Sequence, residues 1–303
     1  MVGTHTRRAL LALRFFRLRQ LCDDPRDTTR RLRQRMTQLL LTLIATALYL
    51  AATALLGLRL ARRLPLERGR RLGLGVAAVA VLLHAVVLYQ VLVGPYGLDL
   101  GIFNAASLIT WLMALLLLIG ATRQPVENLG VIILPIAGLA ALGPATLGAT
   151  VREAAPLGQA VDAHILLSVV AYSILGMGAV QAVLLAIQDH HLRHRQPGGF
   201  IRILPPLQTM EALLFQMLWV GFISLTLALA SGVLFLEDIF AQHLVHKTVL
   251  SLVAWVVFGV LLLGRWRWGW RGPTAIRWTL GGFAMLMLAY FGSKFVLELV
   301  LGR

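Results

Sequence analysis

Three histidines stand inside or at the mouths of long apolar runs: His84, His164 and His246. An imidazole is costly to place there, and it is a ready ligand for a transition metal. His84 lies nine residues before the end of its run at Val93, roughly 14 Å deep and near the middle of a ~30 Å hydrocarbon core. His164 and His246 each sit where a run opens, so the two share a level and His84 lies a layer below. Two imidazoles at one level can hold a single ion, provided that both ring nitrogens come within about 2 Å of it. His164 and His246 are therefore the candidate metal pair. His84 has two readings: a third ligand-binding histidine, or a packing histidine answered by a serine or a backbone carbonyl. His243, three residues before His246, reads as solvated loop.

A second group, Asp189-His190-His191-Leu192-Arg193-His194, puts two histidines at i and i+4. Arg193 and Arg195 oppose a cation there, so the group reads as the solvated basic end of a helix. Trp266, Trp268 and Trp270, interleaved with Arg265, Arg267 and Arg271, read as an interfacial aromatic belt. The chain has no nucleophile elbow, phosphate loop or acid pair, so no enzymatic activity is expected of it.

The elements that position these groups are membrane spans. Of 303 residues 58% are hydrophobic and 14% charged, with a mean hydropathy of +0.80, against about 25% charged in soluble domains. Runs near 37–58, 72–93, 100–120, 129–147, 163–187, 212–236, 246–263 and 278–300 are each long enough to cross a bilayer as a helix. The fourth contains Pro135 and Pro144 and is expected to kink. The fold class expected is all-α, a polytopic membrane protein with about eight transmembrane helices and the bilayer as first partner. A net charge of +15 does not mean nucleic acid, because the arginines sit in short loops between spans. The single cysteine, Cys22, excludes an internal disulfide framework.

Arginine placement orients the bundle. Arg59, Arg62, Arg63, Arg68, Arg70 and Arg71 follow the first run, and Arg265, Arg267, Arg271 and Arg277 follow the seventh. The connections 94–99 and 237–245 have no basic residue but the histidine. The arginine-rich connections are expected in the cytoplasm and the histidine level at the outer face of a bacterial inner membrane. Residues 1–35, with ten arginines, do not fit an outward N-terminus. They are read as a basic extension, either a surface-lying helix or a stretch upstream of a physiological start at Met36. The second reading is adopted, with residues 36–303 as the transmembrane domain.

Five stretches carry a family resemblance: Leu98–Trp111, Asp162–Tyr172, Leu204–Glu211, His246–Trp255, and Gly269–Gly272 with Ala289–Ser293. In order and without large gaps they resemble the CcsA/YpjD branch of the cytochrome c assembly family, closest to the YpjD type. The resemblance implies a bacterial inner-membrane protein that binds or moves haem, with outer-face histidines as axial ligands and other membrane assembly proteins as partners. His164 matches the histidine that precedes a Trp-rich haem-presenting loop in such proteins. The matching connection here, Leu236 to Val245, is short and has no tryptophan, and a family histidine near Leu263-Gly264 is replaced. These departures argue against haem-lyase activity. They leave haem binding by His164, His246 and His84, with Lys247 as the cation nearest for a propionate. The rival readings are an accessory for divalent-cation transport using His84, Asp99 and His164, and a scaffold with purely structural histidines.

The orientation has a direct check. Alkaline phosphatase fused at the C-terminus should be active and a fluorescent protein there dark; the reverse pattern would put the histidine level in the cytoplasm.

Overall fold

The computed structural model describes residues 25–94, 97–98, 101–146, 159–194, 203–235 and 245–292. These form α1 (Pro25–Leu60), α2 (Leu66–Leu92), α3 (Ile102–Gly120), α4 (Gly130–Thr146), α5 (Gln159–Arg193), α6 (Leu207–Phe235), α7 (Val245–Trp268) and α8 (Pro273–Met287). A single 3-10 turn, Glu127–Leu129, leads into α4, and a wide π turn, Leu288–Gly292, continues α8. A two-residue antiparallel pair, Val93↔Leu98 and Gly94↔Gly97, joins α2 to α3. Eight helices among the described residues are long and apolar enough to cross a membrane, as expected. Helices are what such a sequence must form in lipid, since no water is there to answer backbone groups.

The helices differ from the expected runs mainly in their ends. α5 extends from Gln159 to Arg193, beyond its apolar run, and the group at 189–193 forms its end, as expected. α4 runs on as one helix past Pro135 and Pro144. α1, at 36 residues, is about 54 Å long. It passes through Met36 without a break, so its first turns reach beyond the end of α2. Residues 1–24 and Asp99 lie outside the described residues.

α5 is the centre of the bundle. Two-thirds of its spanning window (67%) is buried inside the protein, against 28–44% for the others, and it packs on α3, α6 and α8. The lipid-facing sides of the outer helices are correspondingly apolar and exposed, as at Leu82, Leu139, Leu227 and Val256. Helix crossings use glycine for close approach, because packing and not hydrophobicity drives helix association in lipid. A Cβ on Gly73 or Gly130 would come within 2.8 Å or 2.7 Å of the Leu56 side chain. Both glycines let α1 sit against α2 and α4 through that leucine.

One polar cluster ties the arginine-rich end. Arg59 donates from Nη2 to Glu127 Oε1 (3.0 Å), from Nη1 to Asn128 Oδ1 (3.1 Å) and from Nε to the Leu66 carbonyl (3.2 Å). Arg70 adds a bond from Nη2 to the Ala121 carbonyl (2.6 Å), with its Nε 3.6 Å from Glu127 Oε1. The side chains of Arg59 and Glu127 are only 11% and 6% exposed. A charge so placed is tolerable only when paired and hydrogen-bonded.

At the α7–α8 corner, Glu211 Oε1 accepts the Gly272 N–H at 2.7 Å. Gly272 adopts φ +56°, a left-handed geometry that favours glycine. Trp270 folds back so closely that a Cβ on Gly264 would meet its ring at 2.4 Å.

Removing one member of the buried pair should be costly. Arg59→Ala leaves Glu127 buried beside Arg70 alone and should destabilise the fold by about 3 kcal/mol, the low end for breaking a buried ion pair. Arg63→Ala, on an exposed side chain, is the control and should shift nothing measurable. Unfolding in detergent micelles decides; equal behaviour of the two variants would remove the pair from the account of stability.

Candidate functional site

His164 sits in the second turn of α5, and α6 fixes its ring. Its Nδ1 lies 3.0 Å from both the Ala228 carbonyl and Ser231 Oγ. Ser231 Oγ in turn donates to the Ala228 carbonyl at 2.8 Å, so the serine hydrogen is already committed. A carbonyl can only accept, so the proton of a neutral His164 belongs on Nδ1. The lone pair is then on Nε2. Donation of one ring N–H to a backbone carbonyl is how proteins hold a histidine that ligates metal through its other nitrogen.

The ring faces a cavity of about 310 Å³ walled by five segments, at the small end of the ligand-site range of roughly 300–1,000 Å³. α3 contributes Ala105 and Ile109, α5 Ile165, Ser168 and Tyr172, and α6 Leu225, Ala228 and Leu229. α7 brings Lys247 and Ser251, and the π turn brings Ala289 and Tyr290. The lining is mostly apolar, with the few polar groups gathered from α5, α7 and the π turn.

Tyr172 organises one wall. Its hydroxyl donates to the Leu286 carbonyl at 2.6 Å, just before α8 widens, and its ring meets that of Tyr290 edge-on at 6.0 Å. Such π turns recur at functional sites because they turn side chains off the regular helical face. Ser231 carried no signal in the sequence, since its role depends on which helix faces which. Tyr172 and Tyr290 had a trace only as members of the Asp162–Tyr172 and Ala289–Ser293 stretches.

His84 is elsewhere. It is fully buried between α1, α2 and α3, with Nδ1 3.2 Å from the Tyr49 hydroxyl and Nε2 2.8 Å from Ser107 Oγ. Both nitrogens are engaged, the tyrosine ring stands edge-on at 5.8 Å, and His84 does not line the cavity. The structure gives it the role of a packing histidine answered by a serine and a tyrosine. It does not join His164, and as placed it has no nitrogen left for a cofactor.

His246 lies in the first turn of α7, directly before Lys247, but its side chain is outside the described residues, as are Asp99 and His243. Among the described residues no three His, Cys, Asp or Glu side chains gather as a metal site.

Comparison with known proteins agrees with this architecture. Residues 74–301 match the family described as cytochrome C assembly protein, and the chain belongs to that family. The inner membrane protein YpjD of Escherichia coli K12 is 34% identical over 240 residues, covering 76% of this chain and 88% of its own length. An uncharacterised 28.8 kDa protein of Azospirillum brasilense is 34% identical over 196 residues, 63% of this chain and 72% of its own. The cytochrome c biogenesis protein CcsA of Chlamydomonas reinhardtii is 22% identical over 255 residues, 74% of this chain and 70% of its own. No solved structure matches the chain.

The His84 contacts predict a non-additive pair of variants. His84→Ala orphans the Tyr49 and Ser107 hydroxyls and should cost about 1–3 kcal/mol for each left unanswered. Tyr49→Phe in that background should recover part of the loss, because it removes one of the orphans. Additive losses in micelle unfolding would show that ring and hydroxyl act independently.

Proposed function

We propose that this chain is a multi-pass inner-membrane haem-handling protein of cytochrome c biogenesis, serving storage, relay or support of assembly and not catalysis. The observation that carries the reading is the ring of His164. Its Nδ1–H is committed to the Ala228 carbonyl, which leaves the lone pair on Nε2, and the residue lines a mostly apolar cavity. That is the arrangement an axial imidazole needs. Apolar walls suit a macrocycle, whose edges would reach past the cavity's 310 Å³.

Haem iron would be held by His164 and by His246, which stands one residue before the cavity-lining Lys247, and Lys247 would be the cation for a propionate. The site lies at the end of the bundle away from the arginine clusters, and that arginine asymmetry supports assigning it to the outer face. Iron bound there would supply a low-spin redox centre. The protein's own part is to hold the imidazole, fix its tautomer and keep water out. Family membership and the similarity to an inner membrane protein support this setting.

Purified protein should show a low-spin Soret band. Because two imidazoles on one iron act as a unit, His164→Ala and His246→Ala should each turn it high-spin or empty, with the double variant little worse than either single. Transition metal without porphyrin would favour the cation-transport accessory instead, and neither would favour a scaffold. Loss of the band only in His84→Ala would sink the assignment.

A further inference from the structure

The far end of α5 carries a second set of imidazoles with the same preparation as His164. His190 and His194 stand one turn apart on one face, with ring centroids 4.2 Å apart and tilted by 38°. His194 Nδ1 donates to the His190 carbonyl at 2.8 Å, which leaves Nε2 with the lone pair. His191 does the same toward the Ile187 carbonyl at 2.9 Å, but its ring stands edge-on to His190 at 5.9 Å and lies round the helix from the pair. The His190 ring makes no hydrogen bond among the described residues, while its carbonyl accepts from His194. Both rings of the pair are exposed at the arginine-rich end.

The electrostatic objection to a cation is weaker in the fold than along the chain. Arg193, between the two histidines, is held by Asp189: Nε donates to Oδ2 at 2.9 Å. The guanidinium and the carboxylate neutralise one another on the flank of the pair. A helical i, i+4 histidine pair can meet one ion through two nitrogens.

We infer that His190 and His194 form a two-imidazole site for a first-row transition-metal ion such as zinc, nickel or copper. Imidazole pairs suit these ions, whereas magnesium and calcium require oxygen ligands. Among the described residues no third His, Cys, Asp or Glu side chain joins, so water fills the other positions. The site is separate from the His164 cavity, at the opposite end of the same helix, and does not depend on haem being bound.

The test uses full-length protein without a polyhistidine tag, purified in detergent and stripped with chelator. It is titrated with zinc chloride, and bound zinc is counted after desalting. One zinc per chain is expected. His190→Ala and His194→Ala should each raise the Kd at least tenfold, and the double variant should hold none, while His164→Ala retains the zinc. Acid should release the ion, because protons compete for the same nitrogens. The changes fall on exposed positions, and circular dichroism checks that the helices persist. A wild-type chain that binds no zinc, or a double variant that still binds one, overturns the inference.

Discussion

Inside a bilayer no solvent stands ready to complete a hydrogen bond, and each polar group must find its answer in the protein. That constraint runs through this structure. Thr46 donates to the Gly138 carbonyl and Trp111 to the Val81 carbonyl, each joining two helices by one bond. His84 uses both ring nitrogens on neighbouring helices. Arg59 spends three donors at the seams of α1, α2 and the turn into α4. Where an answer is missing, the place is worth noticing: Gln181 and Gln188, buried on α5, each donate to the α6 side yet have an unmatched carbonyl oxygen.

Against that background His164 is an exception of a particular kind. One nitrogen obeys the rule through α6, the other keeps its lone pair, and the residue lines an apolar cavity. The same asymmetry recurs at His194 in a wetter setting. α5 thus joins two similarly prepared imidazoles, in different surroundings, through one continuous, largely buried helix.

Much of this was legible in the residue order. Apolar runs of about twenty residues have few alternatives to spanning helices, so helix number and class followed from length and hydropathy. The place of His164 near the start of its helix followed from where its apolar run opens. The role of His84 did not, because a lone histidine in an apolar run looks the same whether Tyr49 and Ser107 meet it or a ligand does. The polar group past Ile187 was legible as a helix end, but the pairing of Asp189 with Arg193 was not, because the sequence shows both arginines there only as charges opposing a cation. The wall made by Tyr172 and the π turn rests on contacts more than a hundred residues apart, which periodicity cannot carry.

The bond between Arg59 and Glu127 also bears on how the chain is made. The partners are 68 residues apart, so at about 5–20 residues per second synthesis takes about 3–14 s to pass from one to the other. During that interval the α1–α2 hairpin can offer the guanidinium only the Leu66 carbonyl, without a counter-charge. An arginine so placed is cheapest in water at the membrane edge, because entering lipid unpaired is costly. The turn before α4 then brings the carboxylate beside which it is buried.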